Sequence, residues 1–192
     1  MKPILFNTEM VQAILSGRKI CTRRLLRSEK LPDSDIQFGY TAFTPDSCIS
    51  VRGNYGGSYG ESFIKLPFKP GDVLYVRETW SKDRAGKYVY RADNSDAEKW
   101  HPSLHMPKDA ARAFLIVKSV RAERLKEMTL GDVLNEGVIE GNSYEETWDK
   151  WHKLWNSTVK PSDLSVYGIE ANPFVWVINF RLATPEEVSA HL

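Results

Sequence analysis

The sequence predicts a mixed α+β domain, mainly β, built as a small barrel or a strongly bent sheet with a few peripheral helices. Three observations predict it. Runs of branched and aromatic residues recur at 73–80, 87–92, 112–125 and 174–182, most of them separated by short turn signals. Helical periodicity is confined to short stretches near 8–16, 129–136 and 144–155. The phosphate-loop signatures of doubly wound folds, GxGxxG after a strand or GxxxxGKS/T, do not occur. A chain of 192 residues with 42% apolar content can bury a core without metal or disulfide staples, so one domain spanning 1–192 is expected.

The elements follow in order. Residues 3–6 are a short apolar run, and Asn7-Thr8-Glu9 supplies a cap and an early acid for a helix over about 8–16 with Met10, Ala13 and Ile14 on its apolar face. Gly17 is placed to stop that helix. Residues 19–26 then read as an extended segment. The stretch 28–66 differs in composition and reads as an insertion. It holds candidate strands at 37–44 and 48–52, then a mobile glycine-rich loop over 53–60, which reads first as a solvated linker and otherwise as a flexible cover over a site with Tyr55 and Tyr59 for stacking. Lys69-Pro70-Gly71-Asp72 is a turn into the strand 73–80, and Asp83 to Gly86 turns that strand into a second over 87–92. A long strand with a bend covers 112–125, and Thr129 with Asp132 caps a helix over 129–136. In the helix 144–155, Trp148, Trp151 and Trp155 share one face, a pattern that belongs to a core more often than to a base-stacking platform.

Charge narrows the function classes. The formal total of +1 excludes a uniformly basic, histone-like binder. That total hides an asymmetry: residues 1–30 hold seven basic residues against two acids, a surplus of five, while the other 162 residues carry a deficit of four. Cys21 and Cys48 show no metal-type spacing. His101 and His105 lack an HExxH context and a third ligand, so no metal and no cofactor is expected. No secretory leader or membrane span is read, and the expected location is the cytoplasm.

Three constellations carry candidate chemistry. Arg18, Lys19, Arg23 and Arg24 form a basic cluster that would attract a phosphate backbone and, by mutual repulsion, disfavour a protonated Lys19. Such a lysine could activate the Thr22 hydroxyl, provided the turn after the helix extends through Lys19; on a regular strand the two would point to opposite faces. The plain alternative is a solvated face or a set of surface salt bridges. In Arg77-Glu78-Thr79-Trp80, alternation leaves a charged residue on a largely apolar face, so Glu78 needs a partner, expected among the early arginines. Glu136 ends a helix where its charge opposes the macrodipole, so it is either tolerated by exposure, the simpler reading, or held there for a purpose.

Together these segments resemble the ASCH family, whose fold is a PUA-like β-barrel. The resemblance rests on Ile14-Leu15-Ser16-Gly17-Arg18-Lys19 with Thr22 and Arg23-Arg24, on the turn and strand Lys69 to Trp80, on strand 113–125, on Asn135-Glu136-Gly137, and on Asn172 to Val177. It is closest to the longer, phage- and prophage-associated members, which carry a segment like Trp100 to Pro107. The resemblance implies RNA or a modified nucleoside as partner. In some small members it implies an amidohydrolase that deacetylates N(4)-acetylcytidine, and others are ribonucleases. It puts the catalytic positions on Lys19, Thr22 and Glu136, with Thr22 as nucleophile, Lys19 as its base, and Glu136 orienting the lysine or shuttling a proton. The binding set expected beside them is Arg18, Arg23 and Arg24 with Arg77, Glu78 and Trp80. A non-catalytic RNA-binding module, a ribonuclease and a phage-borne interaction protein are the alternatives. Ile20, where small members commonly carry a second Thr, and the 28–66 insertion are departures from the family pattern.

Overall fold

The computed structural model describes residues 1–39 and 48–190. Its centre is a five-stranded sheet in the order β1-β6-β9-β10-β2, formed by β1 (Lys2–Leu5), β2 (Cys21–Leu25), β6 (Val73–Arg77), β9 (Phe114–Arg124) and β10 (Phe174–Leu182). All neighbours run antiparallel except β1 and β6. The architecture is therefore α+β and mainly β, as expected, but the hydrogen-bonded ladder does not close into a barrel. β1 and β2 remain the two edges.

Helix α1 (Thr8–Leu15) starts where Asn7 accepts the amide of Met10 and ends at Gly17, whose φ is +75°. The turn covers residues 16–17, residues 18–20 have no regular structure, and the strand begins only at Cys21, so Lys19 lies outside the regular alternation. The strand expected over 73–80 breaks in two: β6 stops at Arg77, and β7 (Trp80–Lys82) pairs with β8 (Tyr88–Tyr90) in a separate ribbon. The break falls at buried Glu78, whose amide faces the Met106 sulfur at 3.2 Å instead of a ladder partner. The bend in β9 coincides with a register shift against β10 at Asn179/Phe180.

The insertion folds as regular sheet. Strands β3 (Ser34–Gly39), β4 (Cys48–Tyr55) and β5 (Ser58–Lys65) make a three-stranded antiparallel sheet, and the rest of the 37–44 candidate strand lies outside the described residues. The glycine-rich run folds as a tight hairpin: Tyr55 pairs with Ser58 across Gly56 and Gly57, both with positive φ, the geometry that matches strand twist. Ile49, Val51 and Ile64 join the same core as Ile4, Leu74, Leu115 and Ile178. Tyr55 bonds the carbonyls of Lys30 and Val51 through its hydroxyl, and Tyr59 is exposed.

On the opposite side, α2 (Leu130–Asn135) and α3 (Tyr144–Ser157) cover a second apolar cluster in which Trp151 and Trp155 pack with Leu125, Val133, Val175 and Val177. Thr129 and Asp132 cap α2 reciprocally. Short helices α4 (Leu164–Tyr167) and α5 (Pro185–Ser189) complete the chain.

Candidate functional site

Strand β2 is an edge, so side chains from both of its faces reach the space beside it. Register places Thr22 opposite Ile178 and Arg24 opposite Trp176 on one face; Cys21, Arg23 and Leu25 face the other way with Val175 and Val177. A cleft of about 350 Å³ lies across this edge, lined by Thr22, Arg23 and Arg24, by Leu5, Phe6 and Met10 at the start of the chain, by Glu136, and by Trp151, Leu154 and Trp155 of α3.

Glu136 organises its floor. The residue follows α2 as its C-cap and is only 2% exposed, so the expectation that exposure accommodates its charge is wrong. Lys19, itself 1% exposed, donates from Nζ to Glu136 Oε2 at 2.6 Å and to the Glu136 carbonyl at 2.9 Å. Two backbone features bring them together. The Ile20 amide donates to the carbonyl of Asn135 at 2.9 Å, docking the turn after α1 onto the end of α2. Gly137 has a φ of +87°, and a Cβ there would lie 2.7 Å from Ala13 Cβ and 2.9 Å from Lys19 Cβ, so only glycine permits this approach.

The basic cluster is not a solvated face, nor is Lys19 set among uncompensated cations. Arg23, buried, donates to Glu123 Oε1 from Nε and Nη2 at 3.1 and 2.7 Å, and reaches Glu136 Oε1 at 3.4 Å and Asp132 at 3.5 Å. Arg121 binds the other oxygen of Glu123 at 2.9 Å. Lys19, Arg23 and Arg121 thus face Glu123, Asp132 and Glu136, three charges against three. Burial alone would lower the Arg23 pKa, but Glu136 and Glu123 outweigh it and raise it. Asp132 moves the other way: burial favours its neutral form, yet the Thr129 amide and hydroxyl, with Arg23 and Arg121, hold it below the usual carboxylate range. Cys21, in the same pocket of charge, has its thiol pushed up to about 12 by burial and by Glu136.

Arg24 differs from its neighbours. Its Nη2 donates to the Leu5 carbonyl at 2.6 Å and its guanidinium stands 5.3 Å from the Phe6 ring centroid, but no carboxylate among the described residues pairs with it. Burial lowers its pKa, with Glu136 opposing that shift. The Thr22 hydroxyl likewise has no hydrogen-bond partner among the described residues, and Lys19 uses two of its three donors on Glu136.

The other sequence-derived site residues fall elsewhere. Arg18 is exposed beyond the cleft, bonded to Ser16 Oγ and the Gly137 carbonyl. Arg77 donates to the Leu104 carbonyl and Trp80 stacks on His101 at 4.9 Å; neither lines the cleft. Glu78 does not pair with an early arginine. Arg112 grips it with Nε and Nη2 at 2.9 and 3.0 Å and ties it to Asp93, because the end of β6 lies against the start of β9. Sequence reasoning missed Glu123 and Arg121, which register sets on one face with Arg23 two strands away. It also missed Phe6 as cleft wall; its place just after a strand and before a capped helix was the available signal. Among the described residues no group of three His, Cys, Asp or Glu side chains is placed to hold a metal ion, and no helix there is long and apolar enough to cross a membrane. No protein-family model matches the chain, and no curated protein and no solved structure matches it.

Proposed function

We propose that the chain is an ASCH-type, PUA-like domain whose cleft takes a modified pyrimidine nucleoside and hydrolyses its exocyclic amide, with N(4)-acetylcytidine as the substrate. The observation that carries this reading is the buried Lys19–Glu136 pair, 2.6 Å apart, at a cleft that also presents the unengaged Thr22 hydroxyl. A volume of about 350 Å³ suits a nucleoside-sized ligand, and Phe6 and Trp155 offer apolar walls for a base.

In this mechanism Thr22 Oγ1 adds to the acetyl carbon while the Glu136 carboxylate, held in place by the Lys19 ammonium, takes its proton. Arg24, which no carboxylate among the described residues pairs with, donates to the oxyanion. Collapse breaks the C–N bond, the proton passes to the departing exocyclic nitrogen, and cytidine leaves. Water then cleaves the Thr22 ester and releases acetate.

The mutual neutralisation of Lys19, Arg23 and Arg121 favours this reading over a pure RNA-backbone binder, which would keep such cations available for phosphates. The test is to incubate the purified protein with N(4)-acetylcytidine and follow cytidine and acetate by chromatography. Turnover is expected in the wild type and absent in Thr22→Val, which keeps the shape and removes the hydroxyl. A wild type without turnover overturns the amide reading. Salt-dependent RNA binding that is lost in Arg24→Ala but kept in Thr22→Val would then favour the non-catalytic module.

A further inference from the structure

Helices α1 and α3 flank a second hollow, of about 680 Å³, that meets the inner cleft at Met10, Glu136 and Leu154. Its character is different. Arg18, Lys150 and Lys153 line it, against Glu9 as its one uncommitted acid, since Glu136 is held by Lys19 and Arg23.

These cations are available to a ligand in a way that Lys19 and Arg23 are not. Among the described residues Lys150 and Lys153 are engaged only by exposed one-turn pairs on their own helix, Glu146 at 3.0 Å and Asp149 at 3.9 Å, which are weak and readily exchanged. Arg18 is exposed, and its Nη2 has no hydrogen bond among the described residues. The apolar-walled cleft and the cationic hollow are thus neighbours that share Met10, Glu136 and Leu154 in their walls.

We propose that the outer hollow is a phosphate subsite and that the preferred ligand is a ribose-phosphate form of the nucleoside, not the free nucleoside. This rests on the nucleoside reading of the inner cleft. A phosphate linked through ribose to a base in the inner cleft would meet Arg18, Lys150 and Lys153 as point-charge and hydrogen-bond donors. The shared chemistry is a phosphate on ribose, supplied by a mononucleotide or by the next link of an RNA chain.

The experiment compares cytidine, cytidine 5′-monophosphate, a cytidine-containing trinucleotide and inorganic phosphate, each titrated calorimetrically into wild type and into the triple variant Arg18→Gln, Lys150→Gln, Lys153→Gln. All three positions are exposed or half-exposed, so the substitutions open no cavity in the core, and circular dichroism of the variant checks its fold. The phosphorylated ligands are expected to bind about tenfold more tightly than cytidine, with that gain lost in the variant while cytidine affinity holds within about twofold. A gain with the monophosphate identifies a mononucleotide ligand, and a gain confined to the trinucleotide identifies an RNA chain. Cytidine binding without any phosphate gain, or a gain that survives in the variant, overturns the subsite and leaves the nucleoside reading standing. Inorganic phosphate binding that the variant abolishes, with no cytidine binding, keeps the subsite and overturns the nucleoside reading.

Discussion

Arg24 on one edge of the five-stranded sheet donates to the carbonyl of Leu5 on the other edge, at 2.6 Å. The sheet is bent enough for its ends to meet, yet it is joined at that seam by a side chain and not by a ladder. The cleft opens there because a ladder would fill the space with backbone.

Arg24→Ala leaves the Leu5 carbonyl without its donor and removes the cation over Phe6. The expected cost is about 1–3 kcal/mol of folding stability, together with loss of ligand binding. Arg24→Lys is expected to recover charge without the forked guanidinium donors, so it should rescue binding only in part. Urea unfolding and ligand titration on the same samples check this; full binding by Arg24→Ala would remove Arg24 from the site.

Glu136→Leu leaves the ammonium of Lys19 buried without its carboxylate and should cost about 3–5 kcal/mol, whereas Lys19→Met combined with Glu136→Leu should recover much of that loss. A double-mutant cycle by chemical denaturation measures the difference. Additive losses would mean that the two side chains are not energetically coupled.

Gly137→Ala places a methyl group against Ala13 and Lys19 in a left-handed backbone conformation. The expected destabilisation is about 1–3 kcal/mol, with catalytic loss beyond it because the floor of the cleft shifts. Thermal unfolding beside turnover separates the two effects, and a variant as stable and active as wild type would contradict the close approach.

The Cys21 thiol, pushed up to about 12 by burial and Glu136, keeps its proton in the folded chain while the unfolded chain loses it near 9. A raised pKa contributes stability that is complete below the unfolded value and is lost as pH rises through the folded one. Between pH 9 and 12 wild type should therefore lose stability faster than Cys21→Ala, by up to about 1.4 kcal/mol per pH unit. Cys21 should also resist iodoacetamide at pH 8 until denaturant is added; rapid labelling of the native protein at this position would overturn its burial.

Glu78→Gln should weaken the grip of Arg112 and cost about 1–3 kcal/mol while leaving ligand affinity in the cleft unchanged. Matched denaturation and binding measurements decide this. A selective loss of binding would return Glu78 to the site.

The sequence by itself determined what neighbours along the chain decide. Asn7 capping α1, Gly17 ending it, the Thr129–Asp132 box before α2 and the branched and aromatic run 174–182 as β10 are all local hydrogen-bonding or steric preferences, legible without a fold. Tertiary structure decided everything that joins distant segments. Lys19 meets Glu136 across 117 positions and Arg23 meets Glu123 across 100, through strand order and register that no local signal encodes. The basic run at 18–24 was therefore visible as charge but not as a compensated, buried network. Burial demands a partner for each charge without saying which segment supplies it, and only the packing of α2 and β9 against β2 answered that.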